Sequence, residues 1–218
     1  MATELLDARV PVGRPLVERP GGPTGHGPVG FGDDGGGPHA GWDPARFGLW
    51  AFLGTVSMLF IGFTSAYIVR RTAVDWRALP APRLLWWNTA ALLLSSVTLE
   101  RARQRRRAHY GAGVGAWLAA TGLLALAFVA GQFRAWRLMG ALGYFLSSNP
   151  HSSFFYLLSG VHVVHVTGGL LWFASVLWAV RARGATSEAT GRSLSLLVTY
   201  WHFLGALWLY VAFLVFYF

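Results

Sequence analysis

A chain of 218 residues that is 54% hydrophobic and only 12% charged lacks the surface chemistry of a water-soluble domain, where about a quarter of residues are charged. Polar residues nearly vanish from a few long runs, as in an integral membrane protein, and no cysteine is present. Disulfides, thiolate catalysis, iron–sulfur ligation and zinc–thiolate sites are therefore excluded. The net charge of +9 comes from eighteen basic residues, all arginine; they sit at the ends of apolar runs, where topology signals belong, and not in a nucleic-acid patch.

The first twenty residues contain no apolar core of signal-peptide length, so no cleavable signal is expected. Residues 20–41 are mostly Gly, Pro, Asp and His. Such a stretch cannot bury enough apolar surface to offset its ordering entropy, and residues 1–44 read as a flexible Gly/Pro-rich cytoplasmic leader. Five apolar segments follow, at about 47–69, 84–100, 111–133, 154–180 and 194–218. A membrane span needs about 20 residues. The second segment is short, and it spans if Glu100 and Arg101 snorkel to the interface as an interfacial charge pair. The expected fold is an all-α integral membrane bundle of five transmembrane helices in residues 45–218.

Arginine placement sets the expected orientation. With the N-terminus inside, the inner side carries Arg9, Arg14, Arg19, Arg46, Arg101, Arg103, Arg105, Arg106, Arg107, Arg181, Arg183 and Arg192. The outer side carries Arg70, Arg71, Arg77, Arg83, Arg134 and Arg137. The densest cluster falls in a short loop, where the rule weighs most, giving N-in, C-out. Small and weakly polar stripes mark expected helix contacts: Gly54, Ser57, Ile61 and Ser65 on the first span, Asn88, Ala91, Ser95 and Thr98 on the second, Thr121, Ala125, Phe128 and Gln132 on the third. No continuous polar lining runs through them, which argues against a channel or carrier.

Three histidines lie inside the apolar runs: His162 and His165 in "SGVHVVHVTGG" and His202 in "TYWHFLGALWLY". Ionisable groups in a membrane usually have a function or a partner, and imidazole suits Zn, Cu and haem Fe. With span midpoints near 167 and 206, however, His202 lies roughly 9–14 Å from the pair along the bilayer normal, at about 1.5 Å rise per residue. No Asp or Glu falls within a span, since Glu100 is at a helix end. A metal centre and a proton relay both lack the carboxylates they would use. Helix packing or lipid contact is the expected role of His162, His165, His202, Asn88, Gln132, Trp201 and Trp208, with no catalytic, cofactor or metal residue on the chain.

"SSFFYLLSGVHVVHVTGGLLWF" resembles the sixth-helix signature of cytochrome c oxidase subunit III, through Ser153, Phe154, Phe155, Gly160, His162, His165, Val166 and Gly169. "TYWHFLGALWLYVAFLVFYF" is similar to that family's last helix, with Tyr200, Trp201, His202, Phe203 and Trp208 in place. "WWNTAALLLSSVTLERA" matches another of its helices through Asn88, Thr89, Ser95, Val97 and Thr98, and Gln132 matches a family glutamine. The resemblance covers about residues 46–218. It implies a non-catalytic core subunit of a haem–copper terminal oxidase in a bacterial plasma membrane. Such a subunit packs beside subunits I and II, binds phospholipids and sustains proton uptake and turnover stability, with haem and copper on the partner subunits. The five-span topology implies the shorter bacterial form of the family.

Three positions depart from the family pattern. A buried family glutamate aligns with Val56, a family acidic residue in the last helix with Gly205, and a glutamate three positions after the family glutamine with Ala135. The first departure argues against a direct proton-buffering role. Quinol oxidases and nitric oxide reductases use similar subunits, so the electron donor and the choice of oxygen or nitric oxide stay open. Outside the family, a small carrier or a membrane metalloenzyme is the competing reading.

Overall fold

Two dipeptides start the first and fourth helices. Asp43 precedes Pro44 and Asn149 precedes Pro150; each side chain accepts a hydrogen bond from its helix's first turn, from the Ala45 N–H at 3.2 Å and the Ser152 N–H at 3.1 Å. Proline at the first helical position loses no hydrogen bond, because that N–H has no partner within the helix. The computed structural model describes residues 43–80, 83–108, 113–185 and 187–218. Apart from Asp43 and Pro44, which cap and open the first helix, the expected leader lies outside them.

All regular structure among the described residues is helical: α1 (Pro44–Arg70), α2 (Arg83–Arg107), α3 (Val114–Ala141), α4 (Pro150–Arg183) and α5 (Glu188–Phe216). Four of these, α1, α3, α4 and α5, are long and apolar enough to cross a membrane. In α2 the charge of Glu100 and the arginines that follow interrupts the apolar stretch. The helices overrun most of the apolar windows because charged and polar residues continue the backbone hydrogen bonding. Thus α3 carries Arg134 and Arg137 within it, and α4 spans 34 residues, about 51 Å at 1.5 Å per residue against a hydrocarbon core of about 30 Å. The exceptions are the end of α5, two residues before its window's end, and the start of α3, three residues later than the window, after Gly113 at φ +93°, a left-handed conformation that suits glycine.

Cross-helix bonds show the arrangement. Along α2 and α3, Thr98 and Thr121 share a hydroxyl–hydroxyl bond of 2.8 Å, and ten residues earlier on α2 the Asn88 side chain sits where a Cβ on Gly131 would be. The Trp201 and Trp208 indoles of α5 donate to Ser95 and Thr89 of α2, each at 3.0 Å. Trp136 of α3 donates to Ser159 of α4 at 2.9 Å, and Tyr200 of α5 donates to the His165 carbonyl of α4 at 2.9 Å. In every pair the residue numbers run in opposite senses, so α2, α3, α4 and α5 form a ring of antiparallel neighbours. Because α2 keeps register with both α3 and α5 over its apolar part, it lies in the same layer as they do.

Helix α1 stands outside this ring. It touches α4 and α5 through a bulky row, Leu49, Leu53, Val56, Phe60 and Tyr67, all buried, plus a 2.7 Å bond between the hydroxyls of Thr64 and Tyr210. The small-residue stripe expected on α1 does not make this contact: Gly54, Ile61 and Ser65 are exposed and Ser57 is only half-buried. Large side chains already fill the interface, and close backbone approach is not needed. The α3 stripe is buried throughout, and on α2 Asn88 and Ser95 are buried. At the other end of the ring, Arg106 donates to the carbonyls of Ala185 at 2.8 Å and Ser187 at 2.9 Å, tying α2 to the α4–α5 loop.

Adjacent glycines in α4 separate close packing from open surface. A Cβ on Gly169 would stand 3.0 Å from the Tyr200 ring and 3.3 Å from Leu204, whereas one on Gly168 would meet nothing within 4 Å. Gly169→Leu is expected to lower stability by about 1–3 kcal/mol through overpacking, with Gly168→Leu within about 0.5 kcal/mol of the parent. The thermal unfolding midpoint in detergent checks both.

Candidate functional site

The residues singled out in the sequence fall into three groups at different depths. His162 is fully buried (0% exposed) between the rings of Phe128 on α3, 5.8 Å away edge-on, and Trp208 on α5, 5.1 Å away. His165 is three residues on, and a three-residue step leaves two helical side chains about 60° apart in direction. It accordingly faces α1, with ring centroids 6.3 Å from Phe52 and 6.1 Å from Phe60. Its Nδ1 bonds the Val161 carbonyl of its own helix at 2.7 Å. The two histidines therefore serve different interfaces.

Phe52 and Phe60 flank Val56 by one turn on either side. Val56, apolar and buried, is thus level with His165. Ala135 is buried on α3. Gly205 is buried on α5, where an added Cβ would lie 3.5 Å from the Ser96 hydroxyl.

His202 is half exposed and belongs to a third group. Its Nε2 is 3.8 Å from the Oε2 of Glu100. The other carboxylate oxygen of Glu100 accepts from Arg103 at 2.7 Å and from Gln104 at 3.4 Å. Arg101 is exposed, since neighbours one apart on a helix do not share a face. A groove of about 570 Å³ runs beside this group, from Leu93 and Val97 to Arg101 and His202. On α5, six residues separate His202 from Trp208, which packs on His162, or about 9 Å along the axis. The two histidines do not converge.

Asn88, Gln132, Trp201 and Trp208 are buried within the ring. Among the described residues no group of three or more His, Cys, Asp or Glu side chains could hold a metal ion. His162 faces two aromatic rings and His202 faces a carboxylate, so the two imidazoles do not share a ligand set.

Sequence reasoning passed over His151, which makes more connections than any other histidine among the described residues. It is buried in the first turn of α4. Its Nδ1 accepts from the Leu79 N–H at 3.1 Å, and its Nε2 bonds the Val215 carbonyl at 2.8 Å. Because Nδ1 accepts, the ring proton must sit on Nε2 and donate to Val215. The ring also stacks on Trp76 at 4.6 Å and meets Tyr67 edge-on at 6.0 Å. One imidazole thus ties the α1–α2 loop to α1, α4 and α5. It lies three residues before the apolar window, where no membrane argument drew attention to it; the Asn-Pro start of the helix was the available signal.

Two grooves flank α1. One of about 820 Å³ lies between its C-terminal half and the start of α4, lined by Gly62, Ala66, Arg70, Ser148, Asn149 and Phe154 among others. There Arg70 pairs with Asp75 at 2.9 Å. The other, about 440 Å³, lies between Leu49 and Phe52 of α1, Gly168 and Trp172 of α4, and Leu196 and Tyr200 of α5.

Helices of this length and apolarity, tied by bonds between neighbouring helices, define a multi-pass membrane protein. Residues 72–218 match the cytochrome c oxidase subunit III family, a match that begins just after α1. The chain is 31% identical over 185 residues to cytochrome c oxidase subunit 3 of Synechocystis sp., covering 83% of this chain and 78% of that protein. It is 34% identical over 174 residues to cytochrome bo(3) ubiquinol oxidase subunit 3 of Pseudomonas aeruginosa, covering 76% and 80%. It is 30% identical over 168 residues to quinol oxidase subunit 3 of Bacillus subtilis, covering 75% and 82%. The chain belongs to the cytochrome c oxidase subunit III family and is a bacterial membrane subunit of a multi-subunit haem–copper oxidase.

His151→Ala removes two hydrogen bonds and leaves buried backbone groups without partners. A loss of about 2–6 kcal/mol is expected, from about 1–3 kcal/mol for each of the two groups left unsatisfied. Hydrogen exchange should reveal a loss of protection at the Leu79 amide, with protection at mid-helix amides of α3 unchanged.

Proposed function

We propose that this chain is a non-catalytic subunit III that packs against oxidase subunits I and II, the haems and copper being held by those partners. The bundle's own chemistry carries this reading. Among the described residues, His162 and His202 sit at separate depths, and only Glu100, at the end of the apolar part of α2, brings a carboxylate near one of them. Oxygen reduction needs redox centres that such a donor set does not fit, so this chain's contribution is to stability, lipid binding and support of proton uptake. The arginine-rich end of α2, bonded to the α4–α5 loop through Arg106, is the cytoplasmic face in this reading. That gives N-in, C-out with residues 1–44 as a cytoplasmic leader.

Phospholipid is the proposed occupant of the grooves beside α1. The larger one combines apolar walls at Ala66, Val69 and Phe154 with Arg70 and the hydroxyls of Ser147 and Ser148. That combination suits an acyl chain and a phosphate respectively. The electron donor of the complex is either cytochrome c or a quinol. Relatives at 31–34% identity carry both names, and the quinol oxidase reading has equal support on that ground.

Affinity purification of the tagged chain from its native membrane tests the assignment. Haem and copper should co-purify with it in fixed proportion, and the isolated chain should carry neither. A chain that purifies alone, with no haem-bearing partner, would overturn the proposal. Oxygen uptake by the purified complex with reduced cytochrome c, then with a quinol, identifies the donor.

A further inference from the structure

Near the middle of the helical ring, three polar side chains end in atoms with no hydrogen-bond partner. They are Nδ2 of Asn88 on α2, Nε2 and Oε1 of Gln132 on α3, and Nδ1 and Nε2 of His162 on α4. Asn88 is 4% exposed, and Gln132 and His162 are 0% exposed. Most other buried polar side chains have partners: Ser95, Ser96, Thr121, Asn149, His151, Ser152 and Ser159 all make hydrogen bonds. Thr190 is also without one, but it lies in the first turn of α5, away from this level.

Several contacts put the three side chains at one depth. The Asn88 amide lies against Gly131, the neighbour of Gln132. Trp208 donates to Thr89, the neighbour of Asn88, and its ring lies 5.1 Å from both Phe128 and His162. Phe128 is one turn from Gln132 on the same buried face of α3.

Leaving five such atoms bare inside a lipid-surrounded bundle is unfavourable, because hydrocarbon offers them nothing. A metal ion does not answer the need, since two amides and one imidazole lack the charged ligands that hold a cation. The set does suit water. The amides supply donors, Gln132 Oε1 accepts, and a neutral imidazole supplies one of each. We propose that Asn88, Gln132 and His162 form a binding site for internal water at the centre of the bundle. Five atoms, at about three bonds per buried water, call for about two molecules. The site belongs to this chain alone and does not depend on the proposed partners or electron donor.

Cryo-EM of the purified complex, at a resolution that shows ordered solvent, tests it directly. Discrete density is expected within about 3.2 Å of His162 and of at least one of the two amides. Direct contact among the three side chains with no such density would overturn the proposal. Asn88→Leu, Gln132→Leu and His162→Leu, alone and combined, provide a second test through the thermal midpoint of the complex. Each single change strands atoms of the others and the water, so the combined variant should lose less than the three single losses added together. Strictly additive losses would also overturn it.

Discussion

The ring of four helices depends on one repeated bond, an indole N–H given to a hydroxyl on the neighbouring helix. Trp201 to Ser95, Trp208 to Thr89 and Trp136 to Ser159 all follow the same logic. Each hydroxyl gives its own proton to a carbonyl of its own helix, at Leu92, Leu85 and Phe155 respectively, and is left with lone pairs directed at the indole. Every polar atom in the trio is thereby satisfied within the protein, as a lipid environment requires. Apolar packing alone discriminates poorly among registers when lipid is as apolar as the helices. A bulky indole that must find one particular hydroxyl discriminates better, and it fixes α2 against α5 and α3 against α4.

Helix α1 is held by different means, and its surroundings differ accordingly. Its contact with α4 and α5 is a single apolar row with one hydroxyl bond, so space remains on either side. Those grooves follow from a narrow contact between two cylinders, where the ring helices instead meet neighbours on two sides. The Val56 position lies in this narrow contact, level with His165. His165 bonds the Val161 carbonyl of its own helix. This histidine therefore has a local partner without a carboxylate, and the α1 interface carries no buried charge.

The helices were legible because apolar runs bounded by arginine have a direct physical cause in the bilayer. Their ends were less so: a window of apolar residues marks hydrocarbon, while a helix continues wherever backbone bonds can, as α3 does through Arg134 and Arg137. Stripes of small residues located the buried face of α3 and much of that of α2. The same rule failed on α1, because close approach is only one way for helices to meet. Choosing Ser95 as the partner of Trp201, or Leu79 and Val215 as those of His151, lay beyond sequence reasoning, since these partners are more than sixty residues away in the chain. The spacing of His162 and His165 was visible, but the 60° between them, which sends one to the ring centre and the other to α1, matters only once the neighbours are known.

The tryptophan–hydroxyl pairs close on themselves, whereas Asn88, Gln132 and His162 keep unpartnered atoms at the ring's centre. A proton path needs groups that hand a proton onward, yet the tryptophan–hydroxyl pairs are completed bonds, and indole N–H is a donor only. The levels of His162 and of the Glu100–His202 pair are about 9 Å apart along α5. On the proposed reading, support of proton uptake acts at the bundle's surface or through the partner it steadies, and the groove beside Glu100 and His202 is one such surface.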